Sequence, residues 1–506
     1  MVAVARSEDS VDPDESQPLL AADANARGQS SKKLLILIAC GIFLLAVDFG
    51  FFLSAAPQTA VFEKIICRDR VRSRQMLDAT QKDHANDPCK SDDVQGELAL
   101  ILGYKDGLDV LPSILLSLPY GVLSDHWGRK PVLFLGILGI LLGETWVRLV
   151  CFWSNVLPLR MVWLSGLFRL VGGGDQVVVS MAVVMVADIF SEEERSTALF
   201  RLQSCALVAE VLASPTSAYL MTLDPWFPFI LGTVIFGLGS IPALFLPETL
   251  EDAKAKRSQF ADESTENPAQ TESMNAKSAL QELVRRMREF RQSTQFIWRD
   301  SNVYMMIFVL FVTIISKQST NILLQYASKK FEWSIARASL LVSVRGIVSI
   351  ATFLLLMPAS SWVVARYLDI HGKSWDHRMS QGAGILSILG FAVMGLAPNA
   401  GLLVSGLVIL SLGSAFLIAA RSLVTALVLP DHVGTLYSAI AISTSIGQFI
   451  AGPLFAYLFR LGMHLGHAWM GLPFLQAALF YAVATAGVWR IRIRRSIPEE
   501  DPLLSR

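Results

Sequence analysis

A dozen long apolar runs constrain the fold of this chain more than any other feature of its sequence. Each is about 20 residues long, the length that an α-helix needs to cross the hydrocarbon core of a bilayer. The runs are continuous and show no period-2 alternation, so they predict helices rather than strands of a barrel. They lie at 34–55, 98–123, 131–153, 161–188, 199–222, 226–246, 304–325, 338–357, 381–397, 402–420, 435–459 and 470–489. The sequence therefore predicts an all-α integral membrane protein with about 12 transmembrane helices.

The composition is typical of a membrane protein. Of the 506 residues, 53% are hydrophobic and only 17% are charged, whereas about a quarter of a soluble domain is charged. The apolar runs make the lipid bilayer the expected partner. The formal net charge is zero, so we expect no nucleic acid as a partner. We find no metal-ligand cluster, nucleophile elbow or phosphate-binding loop, so we expect neither an enzyme nor a cofactor.

The distribution of basic residues predicts the orientation in the membrane. Lys32 and Lys33 precede the first run, Arg490 follows the last, and Arg285 opens a group of arginines in the central polar stretch. The positive-inside rule therefore places both termini and the central stretch in the cytosol. The basic residues within 56–97 oppose this orientation locally, because parity puts that loop outside.

The runs form two sets of six around a polar stretch, which predicts two six-helix lobes. The first part of that stretch is rich in Asp, Glu, Ala and Ser and is typical of a linker. Its second part has apolar residues at helical spacing, which predicts an amphipathic helix. The predicted units are a disordered cytosolic tail (1–33), an N-terminal lobe (34–247) with an outer loop (56–97), a cytosolic linker (248–302), a C-terminal lobe (303–490) and a second cytosolic tail (491–506).

A dense group of polar residues separates the second and third runs. It contains Gly121, Asp125, Gly128, Arg129 and Lys130. The glycines allow close helix approach and a tight turn, and Asp125 can accept hydrogen bonds from a helix N-terminus or a cation. The spacing resembles the signature loop between the second and third helices of the major facilitator superfamily. The resemblance implies a two-lobed transporter in which this loop latches the lobes on the cytosolic side in the outward-open state.

The fourth run contains Arg169, followed by Gly172, Gly173, Gly174 and Asp175. Ionisable residues inside a span are functional candidates by default. The segment resembles the superfamily's fourth-helix motif, which implies a role in proton coupling, although Gly174 comes one residue early. Alternatively, Arg169 pairs with a neighbouring helix and the glycines allow close packing.

The fifth run contains Glu210 near its middle, followed by Ser214 and Pro215. This segment resembles the fifth-helix motif of antiporters in the superfamily, with Ser214 in place of the usual glycine. The resemblance favours export. Glu210 is a candidate proton site, and a fixed ion pair with an arginine is the equal alternative.

Other charged residues also fall inside or beside the runs. Asp48 lies among aromatic residues, which suits a substrate cavity or a proton site. Arg345 has no local partner, so we expect it to pair with an acid on another helix or with an anionic substrate. Lys105, Asp106 and Asp109 open the second run near the outer face, where we expect a solvated vestibule rather than a coupling site. Intramembrane acids are concentrated in the first half, which predicts proton handling by the N-terminal lobe.

Three pairs of residues outside the apolar runs carry further expectations. Cys67 and Cys89 fall in the predicted outer loop, an oxidising location where a disulfide can form, although two free thiols are the alternative. Both tails carry an acidic dileucine, a string that sorting adaptors read. These pairs are Leu19 with Leu20, and Leu503 with Leu504. We expect the plasma membrane, with a vacuolar or endosomal membrane as the alternative.

The segments 94–99, 119–121 and 172–174 resemble fungal members of the superfamily that are distantly similar to the folate-transporter branch. Such members are commonly tied to secretion of secondary metabolites. The resemblance implies proton-coupled efflux of a small organic compound, such as a secondary metabolite or drug, by alternating access. Import by proton symport and a non-transporting receptor are the alternatives.

Overall fold

The computed structural model describes residues 16–77, 88–190, 192–251, 285, 295–368, 373–428 and 433–491. Across these residues the regular structure is helical, and eleven helices are long and apolar enough to cross a membrane. A discontinuous helix supplies one further crossing between the third and fourth of them. The predicted fold class is therefore confirmed, and we number the crossings as spans 1 to 12.

Spans 1 to 6 form the N-terminal lobe. Span 1 is the helix Ser16–Leu77, span 2 is Asp92–Trp127 and span 3 is Arg129–Phe152. Span 4 consists of Leu159–Leu164, Ser165–Phe168 and Asp175–Ile189, span 5 is Glu192–Met221, and span 6 is Trp226–Gly239 with Ile241–Leu244. A short 3-10 turn, Pro88–Lys90, precedes span 2.

Spans 7 to 12 form the C-terminal lobe. Span 7 is Ser301–Gln318, Ser319–Ile322 and Leu323–Lys330, and span 8 is Ile335–Ala351, the π-helical turn Thr352–Leu356 and Met357–Leu368. Span 9 is Lys373–Leu396, span 10 is Ala400–Leu412 with Ala415–Ala426, span 11 is Val433–His464, and span 12 is His467–Gly471 with Leu472–Arg490. The short helix Gln295–Arg299 precedes span 7.

Span 1 extends beyond its predicted bounds at both ends. Residues 56–77 continue the helix instead of forming an outer loop, and residues 92–97 already belong to span 2. The apolar residues between Ala56 and Cys67 are buried against other spans, so tertiary packing keeps this segment helical. At the other end the helix begins at Ser16, inside the segment predicted to be a disordered tail. That segment is rich in alanine, which has the highest helix propensity.

Each lobe has its own hydrophobic core. One large cluster draws its buried residues from spans 7 to 12, with Ala99 of span 2 added to it. Two smaller clusters hold spans 1 to 6 together. The amphipathic helix predicted around 280–290 lies outside the described residues apart from Arg285, and so does the tail beyond Ile491.

The ends of the spans define two opposite faces of the molecule. We call the face that carries Leu34 and Arg490 the terminal face, and the face that carries Cys67 and Cys89 the distal face. Span 2 runs from the distal to the terminal face, and span 11 runs in the opposite direction.

The lobes meet most closely where the distal halves of spans 2 and 11 pack together. Gly103 and Gly452 bring the two backbones into contact, and a Cβ on Gly103 would lie 2.5 Å from the Gly452 carbonyl oxygen. Glycine is required here because any side chain would collide with backbone atoms, which cannot move aside. Spans 5 and 8 form the other main contact between the lobes.

Candidate functional site

A cavity of about 950 Å³ lies between the lobes. Its lining comes from all six spans of the N-terminal lobe and from spans 7, 8, 10 and 11. Pockets of roughly 300–1,000 Å³ are typical of sites for small organic ligands. Apolar and aromatic side chains such as Phe43, Phe51 and Phe52 supply much of the wall, together with the expected Asp48.

A buried ionic network in the N-terminal lobe is centred on Arg169. Its guanidinium lies 2.6 Å from Asp175, 3.0 Å from Glu144 and 3.4 Å from Asp109. Lys105 adds a second contact to Asp109 at 2.9 Å. The network joins spans 2, 3 and 4. Arg169 therefore pairs with neighbouring helices, which is the second of the two interpretations of its sequence motif.

The network also shows what sequence reasoning missed. Lys105 and Asp109 are 5% and 6% exposed, so the expected solvated vestibule at these residues was wrong. Their spacing of four residues places them on one helix face, where an ion pair can form in isolation from water. That spacing was the signal available in the sequence. Burying a charge without a partner costs free energy, and here each charge has a partner.

The continuous helix predicted at 161–188 is interrupted at three glycines. Gly172, Gly173 and Gly174 have φ angles of 94°, 78° and 77°, a region in which residues with a side chain are strained. The Tyr120 hydroxyl accepts a hydrogen bond from the Gly172 amide at 2.8 Å. The glycines therefore break the helix as well as allowing close packing.

The break explains the position of Asp175. This residue begins the second half of span 4, where the exposed amides and the helix dipole favour a carboxylate. The first half of the span ends at Phe168, and Arg169 follows it directly. Discontinuous helices of this kind place charged groups at the midplane of transporters.

Glu210 and Arg345 form an ion pair between the lobes. The Glu210 carboxylate accepts hydrogen bonds of 2.7 and 2.9 Å from the Arg345 guanidinium. Both side chains are largely buried, at 12% and 27% exposure. The acid that we expected on another helix as partner of Arg345 is therefore Glu210.

The fifth-helix segment lines the same cavity. Pro215 lies inside the helix of span 5, and the buried Ser214 faces the cavity. One turn on, the Ser217 hydroxyl donates to the Leu53 carbonyl at 2.8 Å. This bond joins span 5 to span 1, as expected for a segment of small residues at a helix interface.

Two charged residues of the cavity wall differ from the rest. Among the four lining carboxylates in the described part of the chain, Asp48 has no ion pair and no hydrogen bond, whereas Asp106 accepts from the Asn321 amide at 3.3 Å. Arg421 of span 10 has no acidic partner within the described residues, and its buried Nε has no acceptor.

The predicted latch loop lies at the terminal face. Span 2 turns into span 3 at Gly128, whose φ is 110°. Arg129 contacts Asp125 at 2.6 Å and Asp188 at 3.4 Å. The Glu248 carboxylate accepts from the backbone amides of Arg129 and Lys130 at 2.8 and 3.1 Å, so it caps the N-terminus of span 3. These contacts lie within the N-terminal lobe.

Gly121 does not play the part expected of it. A Cβ on this residue would meet no described atom within 4 Å, so none of the described helices approaches closely at this position. The tight turn is made by Gly128 alone.

A second group of contacts closes the distal face. Cys67 and Cys89 form a disulfide, which ties the end of span 1 to the short turn before span 2. From this turn Lys90 reaches Ser328 of span 7 at 2.5 Å. Lys329 contacts the Lys90 carbonyl and forms an ion pair with Asp92 at 2.7 Å. We call this set of residues the distal clasp, because it joins the two lobes.

The sorting strings cannot be placed against this site. Leu19 and Leu20 fall in the helix of span 1, and Leu503 and Leu504 lie outside the described residues. Within the described part of the chain, no group of three or more His, Cys, Asp or Glu residues is arranged to hold a metal ion.

Comparison with known proteins assigns the chain to a family. The profile of the Major Facilitator Superfamily matches residues 38–367. The MFS-type transporter avaK of Aspergillus versicolor is 36% identical over 94% of this chain and 97% of its own length. The MFS efflux pump atnC of Emericella nidulans is 32% identical over 92% of this chain and 89% of its own length.

A solved structure agrees with this assignment at the level of fold. The D-xylose–proton symporter aligns with a TM-score of 0.53 at 13% identity, covering 88% of this chain and 96% of that one. Neither of the two relatives is named as a folate transporter, so they do not support that narrower resemblance. The matched profile and the full-length relatives show that this chain belongs to the major facilitator superfamily.

Proposed function

We propose that this protein exports a small organic compound, such as a secondary metabolite or drug, by alternating access and in exchange for protons. The observation that carries this proposal is the cavity of about 950 Å³ enclosed between two six-span lobes. Its size and mixed lining suit a drug-sized molecule. The name of the relative atnC, an efflux pump, supports the outward direction.

The contacts between the lobes support a state closed at the distal face. The distal clasp, the glycine contact between spans 2 and 11 and the Glu210–Arg345 pair lie at the distal half or at mid-depth. At the terminal face, the two ion pairs that Arg129 of the latch loop forms lie inside one lobe. With both termini in the cytosol, as the positive-inside rule predicts, this state is inward-facing and open to cargo from the cytosol.

Transport then requires the lobes to rock about the cavity. Opening the distal face breaks the distal clasp, and closing the terminal face brings the second lobe against Asp125 and Arg129. The loop acts as a latch in that outward-open state. The Glu210–Arg345 pair at mid-depth lies near the pivot between the two arrangements.

Asp48 is the proton site in this proposal. The other cavity carboxylates have partners: Glu144 and Asp175 pair with arginines, and Asp106 accepts from an amide. A charged carboxylate without a partner is the group that a low-dielectric wall stabilises least. Proton binding at Asp48 therefore changes the electrostatic free energy of the cavity more than proton binding at a paired acid would. Arg169 and Glu210 position their partners instead of carrying the proton.

Cytosolic termini are compatible with more than one membrane. With cytosolic termini, an exporter to the medium lies in the plasma membrane. Sorting adaptors that bind the dileucines at Leu19, Leu20, Leu503 and Leu504 would direct it to the vacuole or endosomes instead, where export means sequestration.

The test compares metabolites in cells and medium for wild-type, deletion and Asp48→Asn strains, each with and without a protonophore. We expect a compound that accumulates inside the deletion strain, and whose efflux stops with the protonophore and in Asp48→Asn. The matched control is Asp106→Asn, which changes a carboxylate on the same wall that already has an amide partner. Compounds stranded in the medium of the deletion strain would replace export by import. Efflux that survives the protonophore would refute proton coupling.

A further inference from the structure

The charges on the cavity wall are divided between the lobes. All four lining carboxylates, Asp48, Asp106, Glu144 and Asp175, belong to the N-terminal lobe. The charged residues that line it from the described part of the C-terminal lobe are both arginines, Arg345 and Arg421. The N-terminal side is also lined by Lys105, Arg148 and Arg169, and the two arginines pair with Glu144 and Asp175, so its charges are nearly balanced. The described C-terminal side carries cations without a lining carboxylate.

Of these two arginines, only Arg421 has no ion pair with a described acidic residue. The charge of Arg345 is balanced by Glu210 across the lobe boundary at 2.7 Å. Arg421 has no salt bridge to any described residue, and its buried Nε donates to no acceptor. A guanidinium carries five N–H donors, and leaving such donors buried and unpaired costs free energy. The fold tolerates this cost at a residue that faces the cavity.

Two hydroxyl groups lie close to Arg421 on spans 10 and 11. The Thr425 hydroxyl donates to the Arg421 carbonyl at 2.8 Å and lies 3.1 Å from the Tyr437 hydroxyl. Tyr437 of span 11 lines the cavity as well. Arg421 lies one to two turns before the end of span 10 at Ala426, so it stands on the terminal side of the cavity, where cargo enters in the inward-facing state.

We propose that Arg421 binds a carboxylate of the cargo and thereby selects organic acids for export. The guanidinium fork matches the two oxygens of a carboxylate, and such charge-assisted pairs are among the stronger hydrogen bonds. The inference rests on the proposed function, because it names the class of cargo that enters the same cavity.

The experiment uses the full-length protein in a deletion strain of the source organism. The strain is complemented with wild type, Arg421→Gln or Arg421→Lys, and the medium is compared by untargeted mass spectrometry. Compounds whose export depends on wild type are sorted by whether they carry a carboxylate. We expect carboxylic acids, with export reduced about 10- to 100-fold in Arg421→Gln at equal protein abundance, and partly retained in Arg421→Lys. The matched control is Arg378→Gln, because Arg378 is exposed and outside the cavity lining.

A second measurement does not depend on how the variants fold. The methyl ester of an exported acid, supplied to cells expressing wild type with their esterases inhibited, should leave them at the rate of the empty strain. Export of the ester at the rate of the acid overturns the proposal. The proposal is also overturned if the exported compounds are neutral or cationic, or if Arg421→Gln exports the same compounds as wild type. Each of these results leaves the proposed export function intact. A wild-type strain that exports nothing more than the empty strain refutes the proposed function together with this inference.

Discussion

Removing Arg169 should destabilise the N-terminal lobe far more than removing an exposed arginine. Arg169 is 5% exposed and contacts three carboxylates, at 2.6, 3.0 and 3.4 Å. Methionine has a comparable length and no charge, so Arg169→Met leaves those acids with one cation fewer. Breaking a buried pair by deleting one partner costs about 3–5 kcal/mol. Glu144 keeps Arg148 and Asp109 keeps Lys105, which places the expected cost at about 3 kcal/mol.

This cost can be measured as a shift in melting temperature. In a unit of 150–250 residues, 1 kcal/mol shifts Tm by roughly 2–4 °C, so about 3 kcal/mol predicts a fall of roughly 6–12 °C. The free thiols of Cys40 and Cys151 are buried, so a thiol-reactive dye reports unfolding as they become accessible. Replacing Cys205, which is only partly buried, by serine removes the background signal.

The matched control is Arg160→Met. Arg160 is 66% exposed and pairs with Glu97 at 3.2 Å, and exposed ion pairs contribute at most about 1 kcal/mol. The control should therefore lose no more than about 4 °C. An Arg169→Met protein that melts within about 2 °C of wild type, or a control that melts as low as Arg169→Met, would refute the reasoning that the buried network stabilises the lobe.

Three further predictions concern the span break and the distal face. Gly172→Ala puts a side chain at a φ of 94° and against the backbone of span 3, so it should cost at least about 1–2 kcal/mol; Gly121→Ala, which meets open space, should leave the Tm unchanged. Lys329→Met breaks the distal clasp and should raise the distal-open population about fivefold, read as longer distances between spin labels on spans 1 and 7; an unchanged distance distribution would contradict this. The double substitution Cys67→Ser, Cys89→Ser opens a loop of 22 residues and should lower stability by about 3 kcal/mol. A reducing agent should lower the Tm of wild type but not of the double variant, and equal effects on both would count against a structural disulfide.

The fold could be predicted from the sequence because lipid leaves the backbone few options. Runs long enough to cross the bilayer must be helical, so their number and their division into two sets of six followed from hydropathy alone. The bounds were less accurate. Residues 56–67 were predicted to belong to the outer loop, yet their apolar side chains pack against other spans. The glycines at 172–174 were visible, but whether they pack a helix or break it depends on φ, which the sequence does not specify.

The charged residues of the cavity could be found from sequence, while their partners could not. Asp48, Arg169, Glu210 and Arg345 stood out because a charge inside an apolar run is rare. Pairing is a property of the folded chain: Glu210 and Arg345 are 135 residues apart. Arg421 was missed for a different reason. The tenth run was ended at 420, so this residue was placed outside the membrane, whereas the helix continues to Ala426.

The glycine contact between spans 2 and 11 has a consequence for how the protein can be stopped. Most inhibitors fill a cavity, and most disabling mutations delete a group. At Gly103 and Gly452 the closed distal face requires that neither residue carries a side chain. Atoms added at either position would therefore force spans 2 and 11 apart. A cysteine introduced at either position would by itself disfavour the closed distal face, because its Cβ meets the facing backbone. Thiol reagents of increasing size would disfavour that face further. The transporter would then be held with its distal face open by a change to the packing of two helices and not by the loss of a charged group.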